Sequence, residues 1–387
     1  MKLKDLLVDI DYICDERTNL DIDIKGLEHN TNQVKKDFMF FCLEGKNIDG
    51  HKLYHLALNL GASVFVSNKK LILPDGVVNI IVKDTREAMA KISSVYYGYP
   101  SKDMCIVSFT GTNGKTTSTY FLNSILNFAN VKTGIIGTNG VFFNNKKIVT
   151  NMTTPDPIEL HKILKRMKDS GVRVVIMEMS AHALKLQKNR GLMSDIAVFT
   201  NLSQDHLDYF IDINDYGNAK KKLFKKDSSR FAILNMQDKF SSEIILDIDI
   251  PYFSFGVEDT CDFQIVNIEQ LEKGQKFKLK YEDSISEYFI NIDGCFNVFN
   301  AVGAIIASKK LGVDDNAIKG GLKKLKSVEG RFNSFNYNGV KFIVDFAHTP
   351  DGFENILKAK NRSLAGPTAP PQGLFLWNVD FEGKRRH

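Results

Sequence analysis

Cysteine is scarce and scattered: Cys14, Cys42, Cys105, Cys261 and Cys295 are the five in 387 residues, and no two form a C-x-x-C pair. That spacing argues against a disulfide framework or a structural zinc site and fits a reducing cytoplasm. Long hydrophobic runs are missing as well. The N-terminal stretch MKLKDLLVDIDYICDE interrupts its short apolar run with acids, and no later segment approaches the length of a membrane-spanning helix, so neither secretion nor membrane partnership is expected. Strong charge of one sign is also absent. The net charge of +5 is small for this length, and the densest basic run, KKKLFKK from Lys220 to Lys226, reads by itself as a solvated helix face. Nucleic acid is therefore not an expected partner; an anionic small substrate accounts for the charge more simply. No short-period repeat occurs, and the Asn-Lys-x-Asp run with which GTPase switches read guanine is lacking.

What is present is the composition of a folded protein, with 43% apolar and 25% charged residues of both signs. The length predicts two or three domains. From residue 50 to about 100, helix-like stretches alternate with β-rich runs such as ASVFVS and NIIVKD, and YYGYPSKD then supplies turn residues, placing a boundary near residue 100. Beyond it CIVSF, VRVVIMEM, DIAVFTNL and FAILNM read as strands separated by amphipathic helices, the alternation of a parallel α/β sheet. A more polar β-rich region over about 251–292 precedes a helix at 297–311, and VKFIVDF begins another strand.

In an open parallel sheet, ligands gather at the carboxyl ends of the strands. Three apolar runs end in polar groups: Thr110 after CIVSF, Glu178 after VRVVIM, and Asn201 after DIAVFT. The first leads into TGTNGKTT, a phosphate-binding pattern. Gly111 and Gly114 would let successive backbone N–H groups of Thr112, Asn113 and their neighbours point into one concavity. Lys115 would reach the terminal phosphates, Thr116 would offer a hydroxyl to magnesium, and Thr117 would lie in the first turn of a helix whose N-terminus favours anions. The longer G-x-x-x-x-G-K-[ST] pattern fails, because Phe109 stands at the first glycine position. Glu178, a carboxylate at a neighbouring strand end, suits a hard divalent cation. NMTTPDP clusters hydroxyls and amides in a proline-fixed loop, which suits polar recognition of a peptide and sugar. Asn297 and Asn300, three apart on the expected helix, share a face.

TGTNGKTT, TTPDP, MEMSAHAL, TNLSQDHLDYF, YGNAKKKLF, GCFNVFNAVGA, EGRF and VDFAHTPDG, in this order, resemble the Mur ligase family of bacterial cell-wall synthesis. The likeness runs from about residue 20 to about 360 and is to the branch that adds a diamino acid to UDP-N-acetylmuramoyl-L-alanyl-D-glutamate. It implies an α/β chain with an N-terminal uridine-nucleotide-binding domain over 1–102 and a central parallel-sheet P-loop ATPase-like domain over 103–330. Only the start of a C-terminal Rossmann-like domain follows, over 331–360, and then a divergent, disordered tail over 361–387.

The resemblance also assigns residues. It implies ATP and Mg2+, with Thr116, Glu178 and His206 on metal, and Asn201 and Asp205 close to the nucleotide. Asp205 and Asp208 serve equally well as helix caps. Lys220 corresponds to a lysine carbamylated by carbon dioxide to N6-carboxylysine. Asn151, Thr153, Thr154 and Ser180 would hold the muramoyl-dipeptide, with His182 in the same motif, and either Lys188 or Arg190 would grip it. At the uridine site GLEHNTNQV replaces the usual Asp-Ser-Arg signature, so Thr31 and Asn32 would stand in for its serine and arginine. Asn297 and Asn300 would lie near adenine, and Arg331 and Asp345 would reach ATP from the third domain with His348 nearby.

In such a ligase the D-glutamate carboxylate attacks the γ-phosphate, and the amine displaces the acyl phosphate. The choice between meso-diaminopimelate and L-lysine stays open, as does the oligomeric state. The tail NRSLAGPTAPPQGLFLWNVDFEGKRRH resembles nothing in the family, which leads to the expectation of a shortened third domain and little turnover. The alternatives are an inactive nucleotide-binding fragment and a related amide ligase such as a folylpolyglutamate synthetase.

Overall fold

The structure, a computed structural model, describes residues 1–45, 48–331, 333–337 and 340–345. The first unit is a sheet of β1 (Tyr12–Ile13), β2 (Gly26–Glu28), β3 (Phe38–Phe41), β4 (Val64–Ser67) and β5 (Val78–Val82), in the order β1-β5-β4-β3-β2. All neighbours are parallel except β1 against β5. Alternation along β3 feeds two faces: Met39 and Phe41 join Leu3, Ile80 and Ile92 on one side, while Phe40 joins Ala57 and Phe65 on the other. The helix Thr85–Tyr96 closes the first face, and the Asp84 carboxylate caps it by accepting from the Arg86 and Glu87 amides.

The second unit is built on β6 (Cys105–Thr110), β7 (Thr133–Gly137), β8 (Gly140–Phe143), β9 (Lys146–Ile148), β10 (Val174–Glu178), β11 (Ile196–Phe199), β12 (Ala232–Asn235), β13 (Tyr252–Gly256), β14 (Phe263–Gln270), β15 (Gln275–Tyr281) and β16 (Ser284–Ile290). They form one sheet in the order β16-β15-β14-β13-β12-β11-β6-β10-β7-β8-β9. The centre is parallel, as the sequence predicts, but both edges are not. β14 to β16 form an antiparallel meander, and β7 to β9 a pair of hairpins that the alternating strand-and-helix pattern did not reveal. Asn144 and Asn145, with φ of 49° and 57°, make the second of those turns, for which asparagine is suited.

The central strands are continuous apolar runs because both faces are covered. Val107 and Phe109 of β6, Ile176 of β10 and Val198 of β11 pack under the helices Lys115–Phe128 and Phe296–Lys310. Ile106, Val175, Met177 and Phe199 turn to the other face, against Leu160, Ile163 and Leu164 of the helix Pro157–Asp169. That helix also meets the helix Thr85–Tyr96, and its Ile158 enters the core of the first unit. β17 (Asn333–Tyr337) and β18 (Val340–Val344) form a separate antiparallel pair, so the expected lone strand at VKFIVDF is half of a hairpin. The rest of the expected third domain, with His348 and the tail, lies outside the described residues. Among the described residues no helix is long and apolar enough to cross a membrane.

One buried group sets a pH limit on this packing. His161 on the helix Pro157–Asp169 is fully buried, neither ring nitrogen has a hydrogen-bond partner among the described residues, and burial pushes its imidazole from 6.5 down to about 3. The unfolded chain accepts a proton that the folded chain refuses. The penalty is therefore absent above the unfolded pKa and grows as pH falls below it. Acidification from pH 7 to pH 5 is expected to cost about 2 kcal/mol of stability through this residue. Denaturant unfolding at the two pH values would show a smaller loss for His161→Leu; equal losses would contradict this account.

Candidate active site

β11, β6 and β10 are adjacent, with Phe199 beside Thr110 and Glu178 beside Phe109, so the three polar strand ends emerge side by side. The chain leaves β6 at Thr110 and re-enters helix at Lys115. The loop between is cross-braced from the end of β11. The Asn113 amide donates to Asn201 Oδ1 at 2.8 Å, while Asn201 Nδ2 and Thr200 Oγ1 donate to the Asn113 carbonyl at 3.1 and 2.6 Å. Thr112 Oγ1 donates to the Ser203 carbonyl and accepts from the Ser203 amide. Gly114, with φ of 85°, is in the left-handed region, and a Cβ there would fall 2.1 Å from Asn300 Oδ1. Glycine is thus required twice over, by conformation and by the helix behind it. Asn300 in turn donates to Asn297 Oδ1 at 3.0 Å, so the two asparagines brace the back of the loop.

Lys115 Nζ donates to the Gly111 and Thr112 carbonyls, at 2.8 Å each. Burial, reinforced by the Arg331 guanidinium and opposed by Glu178 and Asp205, holds its ammonium below the ordinary lysine value. Glu178 is itself buried and accepts from three donors: Thr116 Oγ1 at 2.9 Å, the Thr138 amide at 2.9 Å and Thr138 Oγ1 at 3.1 Å. Thr138 was missed at the sequence level; the only signal was its place at the turn after β7. Arg331 Nη2 reaches Thr116 Oγ1 at 3.2 Å.

Lys115, Thr116, Glu178 and His206 line one cavity of about 170 Å³, together with Thr153, Ser180, Asp205 and Arg331. His206 has φ of 54°, a left-handed conformation uncommon for a side-chain-bearing residue and frequent at functional sites. Its ring stands 4.7 Å from that of His182 and its Nε2 is 3.3 Å from Asp205 Oδ2. Burial lowers the pKa of both histidines first; at His182 the charge of His206 and then Lys188 and Lys220 add to this against Asp208, and at His206 Lys115 and Lys220 add to it against Asp205 and Asp208. The Thr116 hydroxyl and the Glu178 carboxylate are oxygen donors that fit magnesium, and the His206 imidazole, on the same cavity, could serve a second divalent cation.

Lys220 corrects the reading of KKKLFKK as a solvated face. Its side chain is buried, Nζ donates to the Gly111 carbonyl at 3.0 Å and lies 3.9 Å over the Tyr216 ring, whereas Lys222 and Lys226 of the same run are exposed. Burial, and secondarily Lys115, pushes its amine well below the ordinary value against a raising effect from Asp205.

The loop through 151–156 joins this cavity to a second one. Thr153 faces the first, with Thr138 Oγ1 at 3.2 Å, while Asn151 and Asp156 line a cleft of about 930 Å³ between the two units. Glu28, His29, Asn32 and Tyr97 form its opposite wall. Thr31 sits in the 3-10 turn Thr31–Gln33 but is not among the residues lining the cleft; Asn30 and Asn32 on either side are. Thr154 spends its hydroxyl on the Glu178 carbonyl and the Ser180 amide, which makes it a brace rather than a presented group.

Ser180 accepts from the Ala183 amide as the cap of the short helix after β10. Of the two basic candidates, Lys188 Nζ lies 2.9 Å from Asp156 Oδ1 and 3.4 Å from the Thr154 carbonyl, beside the 151–156 loop, whereas Arg190 pairs with Asp227; neither is among the residues lining the two cavities. Asp208 follows the His206 turn in the same segment, and Asp345 follows β18; neither is among the residues lining the first cavity.

Among known families, the Mur ligase middle domain matches residues 109–308 and the catalytic domain of the Mur ligase family matches residues 23–97. A tRNA pseudouridine synthase family also matches, over 270–382; its described first part is β15, β16 and the helix Phe296–Lys310, all built into the central sheet and its core. The chain is 36% identical over 364 residues to the UDP-N-acetylmuramoyl-L-alanyl-D-glutamate--2,6-diaminopimelate ligase of Clostridium tetani, covering 92% of this chain and 74% of that protein. To the protein of the same name from Clostridioides difficile it is 37% identical over 373 residues, covering 95% and 76%. A solved structure bearing that name superposes with a TM-score of 0.79 at 24% identity, over 93% of this chain and 74% of that one, a likeness of fold.

Proposed function

Because the chain belongs to the Mur ligase family, we propose that it joins a diamino acid to the D-glutamate of UDP-N-acetylmuramoyl-L-alanyl-D-glutamate, driven by ATP, in peptidoglycan precursor synthesis. The acceptor carried in the relatives' names is 2,6-diaminopimelate. The reaction belongs in the cytoplasm, where ATP and the uridine nucleotide are available.

The observation that carries this reading is the pairing of two cavities by one loop. The larger cleft is long enough and polar enough for a nucleotide sugar, and the 151–156 loop leads from it to the cavity of Lys115 and Glu178. A substrate lying along that loop would present its terminal carboxylate to the γ-phosphate. The carboxylate oxygen then attacks phosphorus, ADP leaves, and the amine nitrogen displaces phosphate from the acyl carbon. Lys115 and the loop amides would neutralise charge building on the phosphate oxygens, and Arg331 would add a second cation. Magnesium, held by Thr116 and Glu178, with a second ion at His206, would supply further positive charge to the phosphates. Glu178, kept in place by Thr138, orients that site.

Lys220 enters through its depressed basicity. A neutral amine adds to carbon dioxide through nitrogen and releases a proton, leaving a carbamate anion. That exchange replaces the Lys115–Lys220 repulsion with attraction. Incubation with 13C-bicarbonate is expected to give one carbamate carbon resonance that Lys220→Met lacks; its persistence in the variant would exclude Lys220.

Calorimetric titration tests the reading as a whole. UDP-N-acetylmuramoyl-L-alanyl-D-glutamate is expected to bind saturably without competition from a folate; binding of the folate alone would overturn it. Lys188→Ala should weaken that binding by about 10-fold, as expected for a lost charged hydrogen bond. Arg190→Ala should leave it unchanged.

A further inference from the structure

Lys188 reaches the substrate loop from a turn that both units hold: its amide donates to the Ala183 carbonyl and Asn189 bonds Ser228 within the central unit, while two further contacts come from the first unit. Its ammonium is nearly buried between Asp156 and the Thr154 carbonyl. Gln187, immediately before it, has φ of 55°, a left-handed conformation disfavoured for a residue with a side chain. Its side-chain amide donates to Asp84 Oδ2, across 103 residues of chain. Asp84 divides its carboxylate: Oδ1 caps the helix Thr85–Tyr96 and Oδ2 holds the turn. After Lys188 the chain passes to Gly191, whose carbonyl accepts from Ser94 Oγ of the same helix at 2.9 Å. Gly191 sits so close that a Cβ would meet the Ala90 carbonyl at 3.0 Å, and its φ of 74° disfavours one as well.

The far end of this helix serves the other cavity. Tyr96 and Tyr97 line the interdomain cleft. One helix therefore borders the proposed uridine-nucleotide cleft at its C-terminal end and contacts the turn that carries Lys188 both at its N-cap, through Asp84, and near that C-terminal end, through Ser94. Asp156, the ion-pair partner of Lys188, is also within 3.7 Å of His29 Nε2 in the first unit. The anchoring of Lys188 is thus assembled across the domain boundary.

We propose that Asp84, Gln187 and Ser94 are positioning residues through which the N-terminal domain places Lys188 on the muramoyl-dipeptide, so that recognition of the peptide end depends on how that domain docks. The proposal rests on the reading that Lys188 contacts that substrate. Its prediction is selective. Gln187→Leu removes the tether while keeping side-chain bulk, and should raise the dissociation constant of UDP-N-acetylmuramoyl-L-alanyl-D-glutamate about 10-fold, toward that of Lys188→Ala, the loss of one charge-assisted contact. The affinities for UDP alone and for ATP should not change.

Gln187→Glu, which opposes two carboxylates, should weaken dipeptide binding likewise, and adding Asp84→Asn should restore it, since asparagine still caps the helix and its amide donates to the new carboxylate. A purely structural contact would move UDP affinity and the unfolding midpoint together with the dipeptide affinity, and the double variant would not recover. Either result overturns the proposal, as does an unaffected Gln187→Leu when Lys188→Ala is weakened. An unaffected Lys188→Ala would instead remove the reading beneath it.

Discussion

Replacing Lys115 with alanine is expected to weaken ATP binding by about 10- to 100-fold, the range of one to two lost charged contacts, and to slow phosphate transfer by a further factor on the order of 100 or more. The expectation comes from position. Lys115 begins the helix after the loop, its ammonium lies against the loop carbonyls of Gly111 and Thr112, and it shares a cavity with Thr116 and Glu178. The effect is separable from folding. The lysine is buried and its charged form is disfavoured by that burial, so its removal relieves a desolvated amine and should leave the thermal midpoint unchanged or raised. Calorimetry with ATP and a melting curve on the same sample check both parts. Unchanged affinity would remove the phosphate-loop assignment.

Glu178→Gln is expected to have an effect of similar size, and a different signature. The amide keeps the shape, and its carbonyl oxygen keeps an acceptor for Thr116 and Thr138, so the loop geometry survives. What is lost is the negative charge at a buried strand end. The wild-type chain should bind ATP much more tightly with magnesium than in excess chelator, and in Glu178→Gln that ratio should collapse toward one, a change of roughly 10- to 100-fold. Direct titration at both conditions reads the ratio. A variant retaining the full magnesium dependence would place the metal on other residues.

Much of this site could be read before any coordinates. β6, β10 and β11 are continuous branched runs because each face of the central sheet is covered, and runs of that kind end visibly where polar residues begin. Thr110, Glu178 and Asn201 therefore announced the ligand edge, and adjacency of the three strands follows from the chain crossing to both sides of β6. The sheet edges were less legible, since β8 and β9 depend on hairpin turns rather than on a long apolar run, and Thr138, which holds Glu178, lies at that edge.

Lys220 was hidden by its neighbours. A run of lysines gives no charge contrast from which to tell an inward position, and only the family resemblance of YGNAKKKLF singled it out; in the fold it covers the ring of Tyr216, four residues before it. Where Lys188 and Arg190 point was not local information, because the turn between them is held by contacts distant in sequence, from Asp84, Ser228 and Asp227. Thr154, in the 151–156 loop, and Ser180, capping the helix after β10, stood out as polar residues, but their hydrogen bonds, and so the division between brace and presented group, required the fold.

The most direct test is a crystal structure of this chain with a non-hydrolysable ATP analogue, UDP-N-acetylmuramoyl-L-alanyl-D-glutamate and manganese as an anomalous marker for magnesium. The account predicts the terminal phosphate in the cavity of Lys115, Glu178 and His206, manganese on Thr116 and Glu178, and the D-glutamate carboxylate arriving along the 151–156 loop. A nucleotide or manganese peak bound on another face, with this cavity unaltered, would contradict it.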